Sequence, residues 1–308
     1  MKRLIKCVLM CGVLLSSMAM AQEKAVTIEH AMGVTEIEKA PVRIVTLYQG
    51  ATDAAIALGI KPVGIVESWV EKPIYKYLRK DLEGAVLLGS ENQPNLEEIA
   101  KLKPDLIIAS KMRHAKIYQH LSLIAPTVAH ENVYKYKETL DLVAKATFKQ
   151  QESQQILDQW TKRTEAFQQK MKAKLGSDWP QQATLVNFRP DHARIYYTSF
   201  GGLVLQELGF TRPEKHQQDT WGVKLTSKES IPDMNAKTFF VFMDEANPIV
   251  QENYQSWTSH PLWKALDAVK TEQVYFVDSV AWNMAGGILA ANLMLDQLNQ
   301  HYQLNEQQ

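Results

Sequence analysis

Eight histidines are spread along the 308-residue chain, His30, His114, His120, His130, His192, His216, His260 and His301, and none forms an H-x-H or i, i+4 pair. Such pairs place two imidazoles on one face, where a bare transition metal is captured. Without them, each His reads as a surface or capping residue. The cysteines, Cys7 and Cys11, both lie near the start. The chain contains no G-x-G-x-x-G, P-loop, H-E-x-x-H or G-x-S-x-G motif. The reading is therefore of a protein with no catalytic residue, no metal ligand and no resident cofactor.

The N-terminus has the pattern of an export signal. Lys2, Arg3 and Lys6 precede an apolar run from Cys7 to Met18, and Ala19-Met20-Ala21 is a small-x-small cleavage site. The run is too short to span a bilayer, and Met10 before Cys11 does not fit a lipid-anchor site. Residues 1–21 are expected to be cleaved after Ala21, giving a periplasmic protein free of thiols. Cleavage lowers Lys+Arg from 34 to 31 against 34 Asp+Glu, a net charge near −3. That balance gives no reason to expect nucleic acid or an anionic membrane as partner. The 287 residues that follow suffice for two domains of ordinary size.

The elements that would position a site are legible as alternating short apolar runs and helical patterns. Strands are predicted over Val42–Leu47, Pro62–Val66, Asp105–Ala109 and Thr127–Ala129, with helices over Thr52–Leu58, Asn95–Leu102 and Lys116–Ile124, hence a parallel sheet. A weak strand pair precedes them between Val26 and Lys39. Glu152 to Leu175 has no Gly or Pro, and Ile156, Trp160, Phe167 and Met171 fall on one stripe. This predicts one long helix, stopped at Gly176. Beyond it the plan resumes with strands at Ala183–Phe188, Thr238–Phe242 and Gln273–Val277, and a terminal helix from about Gly287 to Tyr302. Asn95–Ala109 and Ser227–Phe242 echo each other as a capped acidic helix leading into a buried strand. The two halves read as two copies of one α/β lobe with a cleft.

Four stretches carry a resemblance: TLYQGATDAAIALGIKPVG, PNLEEIAKLKPDLIIASKMRH, NFRPDHARIYY and WNMAGGILAANLMLDQL. The chain resembles the iron–siderophore-binding proteins of ABC transporters, in the branch for ferric dicitrate and citrate- or hydroxamate-type siderophores. The match runs in order over nearly all of the chain after the signal. The resemblance implies a fold of two Rossmann-like α/β lobes joined by one long backbone helix, with the ligand cleft between them. It divides the chain into an N-terminal lobe (22–138), a helical linker (139–178) and a C-terminal lobe (179–308). It also implies a rigid monomer that delivers a ferric siderophore to a permease dimer in the inner membrane. Two alternatives stay open: the same fold carrying haem, cobalamin or another metal chelate, and a secreted α/β hydrolase.

A ferric siderophore brings its own oxygen donors and is often anionic, so the site implied by the resemblance offers Arg forks and aromatic cover. Arg113 follows the predicted strand ending at Ala109, and Arg189 and Arg194 follow the one ending at Phe188, the strand ends at which open α/β sheets bind ligands. Tyr48, Trp69 and Trp221 are the aromatic candidates. Hydroxamate-binding relatives place an Arg just before N-L-E, whereas this chain has Gly89-Ser90-Glu91-Asn92-Gln93 there. Glu97 and Glu229 match the family's pair of glutamates, one per lobe, that dock on permease arginines. Their equivalent positions suit a two-fold partner.

Overall fold

The computed structural model describes residues 25–304. The expected signal peptide, its expected cleavage after Ala21 and the last four residues lie outside the described residues.

A hairpin of β1 (Val26–His30) and β2 (Gly33–Ile37) opens the first lobe. Its main sheet is built from β3 (Ile44–Thr46), β4 (Gly64–Glu67), β5 (Val86–Ser90), β6 (Gln93–Pro94), β7 (Leu106–Ser110) and β8 (Thr127–His130). They lie in the order β6-β5-β4-β3-β7-β8, parallel throughout except for the short edge strand β6. Between and after them run α1 (Gln49–Ala57), α2 (Leu96–Lys101), α3 (Lys111–His114), α4 (Tyr118–Ile124) and α5 (Tyr136–Ala146). β3, β7 and β8 are buried along their whole length, as apolar runs in a helix-covered parallel sheet must be.

The long helix α6 spans Gln150–Leu175, two residues longer than the pattern predicts. Trp160, Phe167 and Met171 are at most 1% exposed, with Ile156 packed beside them, so the predicted stripe is the buried face. Gly176 ends the helix at φ +59°, a conformation open to Gly without steric cost.

The second lobe contains β9 (Ala183–Phe188), β10 (Ala193–Tyr196), α7 (Phe200–Glu207), β11 (Gly222–Leu225), β12 (Thr238–Met243), α8 (Pro248–Thr258), α9 (Pro261–Lys264), α10 (Asp267–Lys270), β13 (Val274–Phe276) and α11 (Ile288–His301). Its sheet, β11-β10-β9-β12-β13, is mixed, because β10 runs antiparallel to both neighbours. The lobes are therefore related in plan and are not copies. The internal echo holds at the caps and the following strands. Between them, α2 is matched by a 3-10 segment, Lys228–Met234, where Pro232 has no N–H to give an α-helix.

α5 runs unbroken from Tyr136, across the 138/139 division, and packs on α1. α11 lies in the last segment of the chain yet packs on α1, α5 and α6. One apolar core consequently passes through both lobes, joining Ile44 and Leu106 to Leu185 and Phe240 through α6. Polar ties reinforce it. The Glu207 carboxylate on α7 accepts from Tyr136 Oη and Trp160 Nε1, both at 2.8 Å.

Asp53 on α1 closes the other side. It is fully buried, and its carboxylate accepts from the first free N–H groups of α11, Leu289 (2.8 Å) and Ala290 (3.1 Å), as well as from Tyr77 Oη (2.7 Å). A carboxylate at a helix N-terminus answers both the unpaired N–H groups and the positive end of the dipole. The approach needs glycine: a Cβ on Gly287 would sit 2.1 Å from Asp53 Cγ, and one on Gly50 would sit 2.6 Å from the Gly286 carbonyl oxygen.

Candidate ligand cleft

The carboxyl ends of β3, β4, β5 and β7 face those of β9 and the start of β10 across a cavity of about 260 Å³. Gln49, Trp69, Glu91, Arg113 and Tyr134 form the N-terminal wall, Arg189, Arg194 and Tyr196 the C-terminal wall, and Asn283, Met284 and Ala285 the floor.

On the N-terminal wall the organising group is Glu91, just past the end of β5 and only 3% exposed. Its carboxylate accepts from Arg113 Nε (2.9 Å), Gln49 N–H (3.2 Å) and Trp69 Nε1 (3.3 Å). Burial raises the Glu91 carboxyl above the ordinary glutamate value, and the Arg113 guanidinium and the other donors oppose that rise. The guanidinium of Arg113 also lies 5.6 Å from the Trp69 ring centre. Behind this group, buried His114 accepts from Ser110 N–H at Nδ1 (3.1 Å) and donates from Nε2 to the Glu91 carbonyl (2.8 Å). Desolvation lowers its pKa, so it is a neutral brace of the wall.

The C-terminal wall repeats the cation–aromatic unit with other partners. Arg194 lies 5.6 Å from the Trp221 ring centre, and its Nε donates to His192 Nε2 at 3.0 Å. Trp221 packs edge-on against Tyr196 at 5.8 Å and is 41% exposed at the rim. The Arg189 guanidinium makes no hydrogen bond or ion pair with any described residue, whereas its backbone is fixed: Arg189 N–H donates to the His192 carbonyl (2.9 Å), and its carbonyl accepts from Asn253 Nδ2 (2.7 Å).

Five of the six residues expected at the cleft are at or beside it: Arg113, Arg189, Arg194 and Trp69 line the cavity, and Trp221 covers Arg194. Tyr48 is a correction. It is 0% exposed and its hydroxyl donates to Thr139 Oγ1 of α5 at 3.2 Å, so its ring belongs to the core. The next residue, Gln49, takes the wall position at the start of α1. Trp282 is likewise internal, bonded through Nε1 to Gln297 Oε1 and packed on Phe240. Glu91, Tyr134 and Tyr196 also line the cavity and His192 bonds to Arg194 beside it; none of the four is among the expected residues.

Glu97 and Glu229 are exposed at equivalent cap positions. Glu97 N–H donates to Asn95 Oδ1 (3.1 Å), and Glu229 N–H donates to Ser227 Oγ (3.2 Å). Neither carboxylate pairs with a described cation, whereas neighbouring Glu98 is held by Lys101 at 2.6 Å.

The profile of a periplasmic binding protein family matches residues 44–281. The chain is 45% identical over 260 residues to the achromobactin-binding periplasmic protein of Dickeya dadantii, covering 84% of this chain and 85% of that one. It is 31% identical over 277 residues to the Fe(3+) dicitrate-binding periplasmic protein FecB of Escherichia coli, covering 87% of each. The crystal structure of Staphylococcus aureus SirA complexed with staphyloferrin B superposes with a TM-score of 0.87 at 47% identity, covering 89% of this chain and 97% of that one. The chain belongs to the periplasmic binding protein family and is a substrate-binding protein of transport, not an enzyme.

Proposed function

We propose that this protein captures an anionic, carboxylate-bearing ferric siderophore in the cleft and delivers it to an ABC importer. The observation that carries the reading is the charge of the cavity: three guanidiniums, Arg113, Arg189 and Arg194, face one space, and Glu91 compensates only the first. Planar Arg forks suit carboxylate and chelate oxygens, and the iron, as cargo, keeps the donors its chelator supplies. A cavity near 260 Å³ favours a compact chelate. Similarity to proteins named for Fe(3+) dicitrate and achromobactin supports the same class.

Fluorescence titration of the mature protein with iron-loaded and iron-free chelators tests this, because Trp69 and Trp221 stand at the two walls. Saturable quenching by a ferric citrate-type complex, absent with the iron-free form, is expected. A folded protein indifferent to every ferric complex, or one that develops a Soret band with haemin, overturns the cargo assignment.

Delivery is assigned to Glu97 and Glu229, whose carboxylates are exposed and unpaired among the described residues. Glu97→Ala with Glu229→Ala should abolish uptake and leave ligand affinity unchanged; loss of affinity would place them in the cleft instead. The protein acts as a periplasmic monomer beginning at Gln22, which intact mass and sedimentation of periplasmic material check. The shared core predicts a rigid pair of lobes, so scattering profiles with and without ligand should nearly coincide.

A further inference from the structure

His192 stands directly before β10, two residues from Arg194, so the extended chain sends both side chains from one face. The imidazole is 7% exposed. Arg194 Nε lies 3.0 Å from His192 Nε2, and Asp191 Oδ1 lies 2.6 Å from His192 Nδ1. A guanidinium nitrogen only donates, so Nε2 presents its lone pair and the ring proton sits on Nδ1, facing Asp191. Lys224 of β11 stands 3.5 Å from the other Asp191 oxygen. The His192 carbonyl accepts from Arg189 N–H (2.9 Å) and Asn253 Nδ2 (3.2 Å), so the ring rises from a fixed backbone. The Nη groups of Arg194 make no hydrogen bond to a described residue.

We propose that His192 is a positioning residue for ligand binding: Asp191 fixes its tautomer, and its Nε2 holds Arg194 by Nε against Trp221, leaving both Nη groups for the ligand. A guanidinium held this way loses less conformational freedom on binding than a free one, which is the source of its contribution to affinity. The inference rests on the reading that Arg194 contacts the ligand.

The test measures affinity for the ferric citrate-type complex that saturates the wild-type protein, in His192→Phe, His192→Gln, Arg194→Ala and the His192→Phe/Arg194→Ala double variant. His192→Phe should weaken binding about tenfold, the scale of one hydrogen bond to a charged group. His192→Gln should recover most of that, since its Oε1 can accept from Arg194 Nε. With Arg194→Ala present, His192→Phe should change little, a coupling that a merely structural histidine would not show. Asp191→Ala, at a 71% exposed carboxylate, should weaken binding about threefold through the tautomer, and it serves if Phe at 192 does not fold. If Arg194→Ala weakens binding while neither His192→Phe nor Asp191→Ala does, the positioning role is wrong and the site reading stands. The same holds if the His192→Phe effect persists undiminished without Arg194. If Arg194→Ala leaves affinity unchanged, or no complex saturates the wild type, both fail.

Discussion

The two walls of the cleft each set a guanidinium against an indole at 5.6 Å, yet they treat its charge in opposite ways. On the N-terminal wall Glu91 neutralises Arg113 from a buried position and takes Trp69 and Gln49 into the same network. On the C-terminal wall the acceptor for Arg194 is an imidazole nitrogen, and the Arg189 guanidinium bonds to no described residue. The first wall therefore supplies fixed geometry with its charge cancelled, and the second supplies two uncompensated positive charges. An anionic chelate would be attracted by one wall and oriented by the other. Sharing a motif does not mean sharing a role; the residue behind the Arg decides it.

The largest expected effect removes that contrast. Arg189→Ala with Arg194→Ala should weaken ferric-complex binding a hundredfold or more, on the order of two charge-assisted hydrogen bonds. The melting temperature should scarcely move, because neither guanidinium answers a buried anion. Arg113→Ala should behave differently in both respects. Binding should weaken only about tenfold, while stability should fall by about 2–3 kcal/mol, because Glu91 would be left buried without its counter-charge. The loss should shrink as pH is lowered. A carboxyl whose folded pKa is raised binds a proton more readily folded than unfolded, so stability rises as pH falls through that value. Urea unfolding at two pH values, beside the titrations, separates the walls. Equal binding losses with equal stability would refute the division of roles.

Much of this was legible from residue order, and the rest was hidden by identifiable physics. The stripe Trp160, Phe167 and Met171 marked the helix that joins the lobes because burial follows helical spacing. Arg113, Arg189 and Arg194 are legible as cavity-lining residues because backbone at strand ends opens onto the cleft in this architecture. Tyr48 shows the limit of that rule: a strand end locates a backbone, and neighbouring α5 turned the ring inward. β5 is hard to read because its apolar residues Val86, Leu87 and Leu88 are soon followed by Gly89, and only Leu88 of its five residues is buried, so the run is neither long nor alternating. In the sequence Glu91 stands only where relatives have an Arg, and its own partner, Arg113, lies 22 residues on, so no local pattern links the two. His192 could have been paired with Arg194 from their i, i+2 spacing, had β10 been recognised as a strand.

The division of roles between the walls requires that they keep a fixed separation, and Asp53 tests that. Burial pushes its carboxyl up to about 6 from 3.8, against the donors Leu289, Ala290 and Tyr77. Between those two values the folded protein holds a proton that the unfolded chain releases, so this group adds stability as pH falls through 6 toward 4 and withdraws it as pH rises. Asp53→Asn should remove that component, on the order of 3 kcal/mol across the window, leaving a flatter pH profile in matched denaturation curves. Asp53→Ala should cost about 2 kcal/mol at neutral pH by uncapping α11. If its affinity is unchanged, the shared core alone fixes the walls.

The smallest and sharpest test exchanges the two indoles. Trp221→Phe keeps a ring beside Arg194 and removes no indole N–H hydrogen bond to a described residue, so only the difference in cation–π strength should register, about a twofold loss of affinity. Trp69→Phe removes the same increment and also the Nε1 donor to the buried Glu91 carboxylate, which loosens the clamp on Arg113. Its loss should be larger, about five- to tenfold, and it should be accompanied by a measurable fall in stability that Trp221→Phe lacks. Equal effects at both positions would mean that the indoles act only as apolar cover. In that case the distinction between a wall that orients and a wall that attracts would have to rest on the arginines by themselves.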